Sequence, residues 1–421
     1  MRYSLILLLL ICSHTFSQIP EKVFNPKIKS VQLFPAGNQL GYPVLRLGSS
    51  EQLELHFDDL DPSVKNYSYT FQLRNADWTP AVLSHFDFIK GFSQVRITTY
   101  RPSSVALTRY IHYQAMVPDR NCVPTRSGNY ILKVFINSDT SRLLFTRKML
   151  VVQENATIGA QVQQPYGINY KSGQKIQFKV NLNEKLDVLN AQQQIKVVIL
   201  QNNRWDNAIT GIKPTFFARK TLEYNTENDA VFPAGKEWRW LDLRSFRLQS
   251  DRVADARYTN TGTEIFVRPD VDRSTQRFNF YRDANGRYYL EPTESINPLW
   301  QSDYATVHFT YAPPGNRPYP GQEVYLFGQL NDYNLDDTAK MVYNADQGVY
   351  QTSLFLKQGY YDYMYVTIDK DDPKRKASFQ DTEGNLWETE NEYTILVYYR
   401  PLAGRVDELI GITRLNSLVV R

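Results

Sequence analysis

The sequence has little cysteine and histidine and contains none of the common short catalytic motifs. Its 421 residues include 2 Cys and 5 His, and Cys122 is the only cysteine beyond the N-terminal segment. A single thiol cannot form an internal disulfide, so hydrophobic cores must hold the fold, and we expect Cys122 to be buried and inert. No two histidines stand at i, i+2 or i, i+4 spacing, and P-loop, G-x-G-x-x-G, H-E-x-x-H, C-x-x-C and G-x-S-x-G motifs are absent. The sequence therefore supports no local zinc site and none of the commonest nucleotide or hydrolase sites.

Long apolar runs and concentrated charge are also scarce. The run Leu5–Ile11 is far shorter than the roughly 20 residues that a membrane-spanning helix needs. Arg2 precedes it and the small residues Thr15 and Ser17 follow, which predicts a secretory signal peptide cleaved after Ser17. The formal net charge is +4 and the basic residues are scattered. We therefore expect an exported, soluble mature chain with no membrane span and no nucleic-acid partner.

Alternation of apolar and polar residues is the main signal in the rest of the chain. Residues 67–73, 175–182 and 304–311 alternate with a period of two, as strands with one buried face do. Residues 129–136 and 361–366 are apolar on both faces, which predicts central strands or strands covered by a neighbouring domain. Helical patterns are rare, and aromatics make up 14% of the chain. The predicted fold class is all-β, built from Greek-key sandwiches.

Turn-rich segments predict the domain boundaries. Residues 147–152 have the pattern of a closing strand, followed by a fresh strand from Ile158. Residues 312–322 contain four Pro and two Gly, typical of a semi-rigid connector. We expect the signal peptide to be followed by three consecutive immunoglobulin-like or early-set sandwich domains, at residues 18–154, 155–312 and 313–421.

Three acidic segments are candidate cation sites. Residues 332–336 begin like an EF-hand loop, but Asp337 stands where Gly is needed and Tyr343 where Glu is needed. Residues 58–61 and 369–372 have the composition of Asx-type turns and solvated loops. We therefore expect no bound metal and no cofactor. A pair of carboxylates facing each other across a cleft, as a glycosidase requires, cannot be identified from the sequence.

A set of short motifs runs through residues 28–311. The segments are Ile28–Leu33, Leu55–Leu60, Tyr67–Leu73, Asn75–Trp78, Phe88–Phe92, Tyr110–Tyr113, Val117–Pro118, Ser127–Tyr130, Val197–Asp206 and Trp238–Arg244. Together they resemble the plug protein family of the type IX secretion system of Bacteroidetes. Arg74-Asn75 stands where the family pattern has His-Cys, so any role of that Cys is absent here. The motif residues to which we assign structural roles are Asp77, Trp78, Gly91, Tyr113, Ser127, Gly128, Tyr130, Trp205, Trp238 and Trp240.

The resemblance implies a function without catalysis. A plug of this family is a periplasmic protein that closes the periplasmic side of the giant outer-membrane β-barrel translocon when no substrate passes. The resemblance implies that barrel as the partner, with the chain otherwise monomeric. It does not indicate which residues contact the barrel.

The C-terminal third gives an alternative. Residues 324–331, 348–352 and 359–363 resemble the early-set modules that accompany glycogen-binding proteins. Those modules carry a Trp for sugar stacking, and Tyr333 is the nearest candidate for a glycan contact here. The alternative function is thus a periplasmic carbohydrate-binding protein acting through its C-terminal module. A hydrolase with a site assembled across strands is the third hypothesis.

Overall fold

A computed structural model describes residues 21–418, and nearly all its regular structure is β-strand. The predicted signal peptide at residues 1–17 lies outside the described residues. The first strands are β1 (Lys22–Val23), β2 (Ile28–Pro35), β3 (Val44–Arg46), β4 (Leu53–Asp59), β5 (Tyr67–Arg74), β6 (Ile89–Gly91), β7 (Val95–Ile97), β8 (Thr99–Pro102), β9 (Ile111–Val117), β10 (Cys122–Pro124), β11 (Gly128–Ile136) and β12 (Leu143–Val152).

The middle and last strands follow in chain order. They are β13 (Ala156–Gln163), β14 (Gly173–Leu182), β15 (Ile195–Gln201), β16 (Ile209–Thr210), β17 (Phe216–Ala218), β18 (Thr221–Tyr224), β19 (Val231–Pro233), β20 (Arg239–Asp242), β21 (Val253–Tyr258), β22 (Thr263–Val267), β23 (Asp270–Val271), β24 (Tyr288–Tyr289), β25 (Tyr304–Ala312), β26 (Gln322–Phe327), β27 (Val342–Asn344), β28 (Val349–Lys357), β29 (Tyr360–Asp369), β30 (Glu392–Tyr399) and β31 (Glu408–Asn416). Helical structure in the described range is limited to α1 (Ala191–Gln194), α2 (Pro298–Gln301) and 3-10 turns at His85–Asp87, Gly167–Asn169, Pro314–Asn316 and Gln329–Asn331. The predicted all-β sandwich class is confirmed.

The first sandwich is formed by strands β1 to β5, β7 to β9, β11 and β12. One sheet has the order β1-β12-β11-β5-β7 with β3 beside β12, and the facing sheet has the order β2-β4-β9-β8. The predicted alternation in β5 is confirmed, since Tyr67, Tyr69, Phe71 and Leu73 are all buried between the sheets. Strand β11, predicted to be central or covered by a neighbouring domain because both faces are apolar, lies between β12 and β5.

The second sandwich combines strands from distant parts of the chain. One sheet has the order β13-β14-β18-β17 with β19 beside β14, and the other has the order β16-β15-β30-β31. Ile195 of β15 pairs with Tyr399 of β30, which lies 204 positions further along the chain. Side chains from β14, β15, β30 and β31 share one core.

The third sandwich is formed by strands β20 to β29. Its sheets have the orders β21-β22-β25-β28-β27, with β23 beside β25, and β20-β29-β24, with β26 beside β29. Tyr311 at the end of β25 and Val324 in β26 lie in the same core. The Pro-rich residues 312–322 are therefore a loop within this sandwich, and the prediction of an interdomain connector there is wrong.

Strand pairing does not follow the predicted division at residue 312. Residues 239–312, assigned by sequence to the second domain, pair within the third sandwich, whereas residues 392–416 pair within the second. A Pro- and Gly-rich segment indicates only where the chain turns, because either of two sheets can receive the next strand. Three sandwiches are present, but the second and third interleave along the chain.

The first and second sandwiches share a further apolar cluster. Leu150 and Val152 on the outer face of β12 pack against Val198, Leu396 and Leu409 of the second sandwich. Because this contact excludes water from β12 on both faces, the two sandwiches are packed directly on one another. None of the helices in residues 21–418 has the length and apolar character needed to cross a membrane.

Candidate functional site

A cleft of about 430 Å³ lies where the three sandwiches meet. The first sandwich lines it with Gln32, Tyr42, Asp77, Trp78, Arg147 and Lys148, the second with Asn202 to Asp206, and the third with Arg287, Gln329, Asp332 and Tyr333. Two predicted motif tryptophans, Trp78 and Trp205, therefore lie at one site although 126 residues separate them in the sequence.

Lys148 lies against the faces of both tryptophans in this cleft. Its Nζ is 5.2 Å from the Trp78 ring centroid and 5.5 Å from that of Trp205, and the two rings meet edge to face at 4.8 Å. The nearest carboxylate is Glu21, at 3.9 Å. Burial lowers the pKa of Lys148. The arrangement is a cation–π contact that ties the first sandwich to the second.

Tyr333 is part of an aromatic cluster beside the cleft and is half-buried. Its hydroxyl donates to the Gly286 carbonyl oxygen at 3.0 Å. The Arg204 guanidinium lies over Phe327 at 4.7 Å and over Tyr333 at 5.8 Å. One face of Tyr333 is thus covered by protein. The predicted glycan contact would have to form at the rim of this packed cluster, not on an open aromatic platform.

A buried polar network joins the first sandwich to the third. Lys357 and Asp58 are both fully buried, with Lys357 Nζ 2.5 Å from Asp58 Oδ2. Tyr304 donates its hydroxyl proton to the same carboxylate, and His112 Nδ1 lies 2.6 Å from Asp58 Oδ1. His112 Nε2 then contacts His56 Nδ1 at 3.1 Å. The Asx-turn interpretation of residues 58–61 accounts for Asp59, which accepts from the Asp61 amide, but not for Asp58.

The electrostatics of this network favour one charge state. Burial alone would raise the pKa of Asp58, but Lys357 and His112 hold it below its usual value. Burial lowers the pKa of His112, despite the adjacent carboxylate. The carboxylate is thus ionised and the imidazole neutral at pH 7. Because both side chains of the Asp58–Lys357 pair are fully buried, the pair forms a junction between the first and third sandwiches.

A second buried cluster carries carboxylates that form no ion pair within residues 21–418. Oxygens of Glu237, Asp283 and Glu390 lie within 4.8 Å of one another. Burial, reinforced by Asp283 and Glu390, raises the pKa of Glu237 to about 8. Burial likewise raises the pKa of Asp283 and of Glu390. These three residues are the best candidates in the described range for holding a metal ion. Sequence reasoning missed them because they are 46 and 107 positions apart.

A short ribbon on the first sandwich presents exposed aromatic side chains. Strands β6 and β10 pair with each other and belong to neither main sheet. Along this segment Val82, Phe86 and Phe92 are 83%, 80% and 66% exposed. We call Val82–Phe92 together with β10 the docking ribbon.

The ribbon is held firmly although its surface is apolar. The Phe92 amide donates to the Asn121 carbonyl oxygen at 2.6 Å, and Arg126 Nε donates to the Asp87 carbonyl oxygen at 3.0 Å. Gly91, one of the predicted motif residues, has φ +104°, and a Cβ there would lie 2.0 Å from the Asn121 oxygen. Only glycine fits this position. Large exposed apolar groups on a rigid support are typical of interaction surfaces.

The remaining motif residues of the first sandwich have packing roles. Tyr113 is fully buried and stacks on Phe57 with centroids 5.1 Å apart. Tyr130 is fully buried and donates its hydroxyl proton to the Arg126 carbonyl oxygen at 2.8 Å. Ser127 and Gly128 are also buried, and a Cβ on Gly128 would lie 3.2 Å from the Asp407 carbonyl oxygen.

The motif tryptophans of the third sandwich are also packed. Trp238 is 3% exposed and lies among Phe327, Tyr333 and Phe379. Trp240, on β20, stacks on Tyr360 with centroids 6.3 Å apart. These contacts favour core packing over a ligand platform.

Cys122 is fully buried in the first core. Burial raises the pKa of its thiol to about 12, so the thiolate is scarce at neutral pH. An inert thiol was predicted from the sequence, and this environment agrees with it.

The comparisons with known proteins identify the first sandwich. Residues 28–153 match the family described as "Type 9 secretion system plug protein 1st domain". No curated protein matches the chain. A crystal structure of a hypothetical protein from Parabacteroides merdae is similar over 94% of this chain and 98% of that chain, with 31% identity and a TM-score of 0.89.

A second solved structure gives a much weaker match. Trypsin-activated alpha-2-macroglobulin from Escherichia coli aligns with 92% of this chain and 28% of that chain, at 9% identity and a TM-score of 0.17. That score is too low to indicate a shared fold. The match of residues 28–153, which the sequence motifs predict, identifies the first sandwich of this chain as a first domain of the type IX secretion system plug protein family.

Proposed function

We propose that this protein is a periplasmic plug of the type IX outer-membrane translocon, which closes the periplasmic side of the barrel pore when no substrate passes. The observation that carries the proposal is the family match of the first sandwich, whose docking ribbon exposes Phe86 and Phe92. On this proposal the protein acts by occupying space and not by catalysis.

The packing of the three sandwiches supports this role. An occluding subunit must resist deformation, and flexible linkers between its parts would allow leakage. Here the second sandwich packs on the first through the Leu150 and Val198 cluster, and the third is joined to the first by Asp58 and Lys357. Buried contacts of both kinds oppose hinge motion between domains, since opening them would expose apolar area or an unpaired charge.

The docking ribbon supports a specific mode of attachment. Aromatic anchors at the centre of an interface contribute most of the binding free energy in many complexes. Phe86 and Phe92 have the exposure of such anchors, and exposed Lys90 lies between them in the sequence. We infer that the ribbon inserts against the periplasmic rim of the barrel.

The test is purification of the tagged translocon barrel from native membranes of cells expressing the full chain. The chain is expected to accompany the substrate-free barrel and to be depleted from the barrel loaded with substrate. Its absence from the substrate-free complex would overturn the plug function.

The attachment mode is tested with the double variant Phe86→Ser/Phe92→Ser. We expect at least a tenfold loss of recovered chain, because each anchor contributes on the order of 1–2 kcal/mol. The matched control is Phe216→Ser, which alters an aromatic side chain 56% exposed on the second sandwich. Equal recovery of both variants would reject the ribbon as the anchor while leaving the plug function testable by the first experiment.

A further inference from the structure

Three carboxylates converge near the junction between the third and second sandwiches. Glu237 immediately precedes Trp238 and β20, Asp283 lies in the loop before β24, and Glu390 lies two residues before β30. Strand β30 itself belongs to the second sandwich. The convergence therefore lies at the place where the chain passes from one sandwich to the other.

No cationic side chain in residues 21–418 forms an ion pair with the cluster, and the charges of Arg273 and Arg287 act on it only from a greater distance. None of the ion pairs within residues 21–418 includes Glu237, Asp283 or Glu390. By contrast, the buried Glu383 nearby is paired with both Arg239 and Arg273. Carboxylates buried this close repel one another unless a proton or a cation intervenes.

Two of the oxygens at this place, one from Glu237 and one from Asn285, have no hydrogen-bond donor. Glu237 is 1% exposed, and its Oε2 has no partner, while its Oε1 accepts only from the Glu390 amide at 3.1 Å. Asn285 is 6% exposed; its amide nitrogen donates to Glu390 Oε2 at 2.9 Å, and its Oδ1 has no partner. Buried polar atoms are nearly always satisfied in folded proteins, so two orphan acceptors beside three carboxylates call for a cationic ligand.

The local backbone holds these oxygens in place. The Asn285 amide donates to Asp283 Oδ1 at 2.8 Å, and the Trp238 amide donates to Asp283 Oδ2. Asn285 and Gly286 both have positive φ, and a Cβ on Gly286 would lie 2.7 Å from the Trp238 ring. The turn at residues 283–286 is thereby fixed against the strand that follows Glu237.

The oxygen spacing suits a large divalent cation. Ca²⁺ takes six to eight oxygen ligands at about 2.3–2.6 Å, so ligands on opposite sides of one ion are about 5 Å apart. Carboxylate oxygens within 4.8 Å of one another fit that diameter. Glu237 is buried, whereas Asp283 and Glu390 are partly exposed, which leaves a side open for entry of the ion and its remaining water ligands.

We propose that Glu237, Asp283 and Glu390, with the Oδ1 of Asn285, form a calcium-binding site that stabilises the junction between the third and second sandwiches. The site is structural. Its ion replaces the missing positive charge and links the loop of the third sandwich to the segment that starts β30. This inference does not depend on the plug function.

The experiment measures calcium binding to the full mature chain. Thermal unfolding is followed in chelator and in CaCl₂, and terbium luminescence is excited through tryptophan, since the Trp238 ring lies against Gly286 in the turn that holds Asp283. We expect CaCl₂ to raise Tm, and we expect Tb³⁺ to emit and to be displaced by Ca²⁺.

The deciding variant is Glu237→Gln, which keeps the side-chain volume and removes one charge. It is expected to fold, to lose the Tm response, and to bind Ca²⁺ more weakly by about tenfold or more. Glu184→Gln, at an exposed residue, is the matched control and should retain the wild-type response. A wild-type chain with neither a Tm shift nor terbium emission overturns the proposal. Equal responses from Glu237→Gln and wild type would also overturn it, because the ion would then bind elsewhere.

Discussion

Two buried polar clusters join the third sandwich to its neighbours, and they differ in charge balance. At the first junction Asp58 meets Lys357 and is surrounded by donors. At the second junction Glu237, Asp283 and Glu390 meet one another, and two acceptors lack donors. In the first cluster, side chains of the protein itself supply the cation and the hydrogen-bond donors that the Asp58 carboxylate needs. The matched charges form an internal joint between sandwiches, whereas the unpaired carboxylates form the proposed calcium site.

The largest expected effect comes from removing one partner of the matched pair. Lys357→Met leaves Asp58 buried without its cation, so the free energy of unfolding should fall by about 3–5 kcal/mol. Urea denaturation measures it, with Lys374→Met at an exposed loop as the control. Adding Asp58→Asn should restore part of the loss. If Lys357→Met and Lys374→Met have the same free energy of unfolding, the junction does not depend on the Asp58–Lys357 pair.

The same kind of change at the unmatched cluster should have the opposite sign. In calcium-free buffer at pH 7, Glu237→Gln should raise the free energy of unfolding by about 1–3 kcal/mol, because the folded chain no longer has to protonate or repel that carboxylate. Chemical denaturation in chelator checks this against Glu184→Gln. A destabilised Glu237→Gln protein would show that the carboxylate has a stabilising partner within the chain.

Acid should weaken the matched junction. Because burial lowers the pKa of His112, the unfolded chain binds a proton more readily than the folded chain, so stability falls as the pH drops below about 6.5. The lowered pKa of Asp58 adds a loss below about pH 4. The free energy of unfolding should therefore be lower at pH 5.5 than at pH 7.5, and His112→Gln should reduce this difference by about 1 kcal/mol.

The control for the pH experiment is His85→Gln. Burial also lowers the pKa of His85, but this residue is partly exposed. Its substitution should therefore change the pH dependence of the free energy of unfolding less than His112→Gln does. Guanidinium denaturation at the two pH values measures both variants. An unchanged pH profile in His112→Gln would contradict the charge states assigned to the network.

The smallest effect is expected at Lys148. This lysine contacts two tryptophan rings and a carboxylate at 3.9 Å, so Met can replace its apolar stem with little loss. Lys148→Met should change the free energy of unfolding by less than about 1 kcal/mol, measured by urea denaturation beside Lys357→Met. If Lys148→Met lowers the free energy of unfolding as much as Lys357→Met does, burial of the lysine alone, without hydrogen-bonded pairing, determines the size of the effect.

Local sequence patterns were reliable where one strand decides its own environment. The alternation in β5, the central position of β11 and the burial of Cys122 all follow from which side chains are apolar. The motif set also identified the family of the first sandwich. The assignment of strands to sandwiches could not be predicted in this way. Strand β15 pairs with β30, and no local feature of either strand specifies that partner.

The candidate sites show the same limit. His56 and His112 come together across β4 and β9, and no spacing in the sequence brings them together. Glu237, Asp283 and Glu390 belong to three separate segments, and each alone resembles an ordinary surface acid. The one available signal was the Asp-Ala-Asn-Gly turn at residues 283–286, whose oxygen-rich composition suits either a turn or a cation loop.

The sequence by itself determined the all-β class, the buried faces of single strands and the resemblance to the plug family, because side-chain polarity and short motifs are local properties. Only the tertiary structure decided which strands share a sandwich, that the Pro-rich segment is an internal loop, and which charges are matched. These are decided by contacts between residues far apart in sequence, where pairing, burial and charge compensation depend on the whole fold.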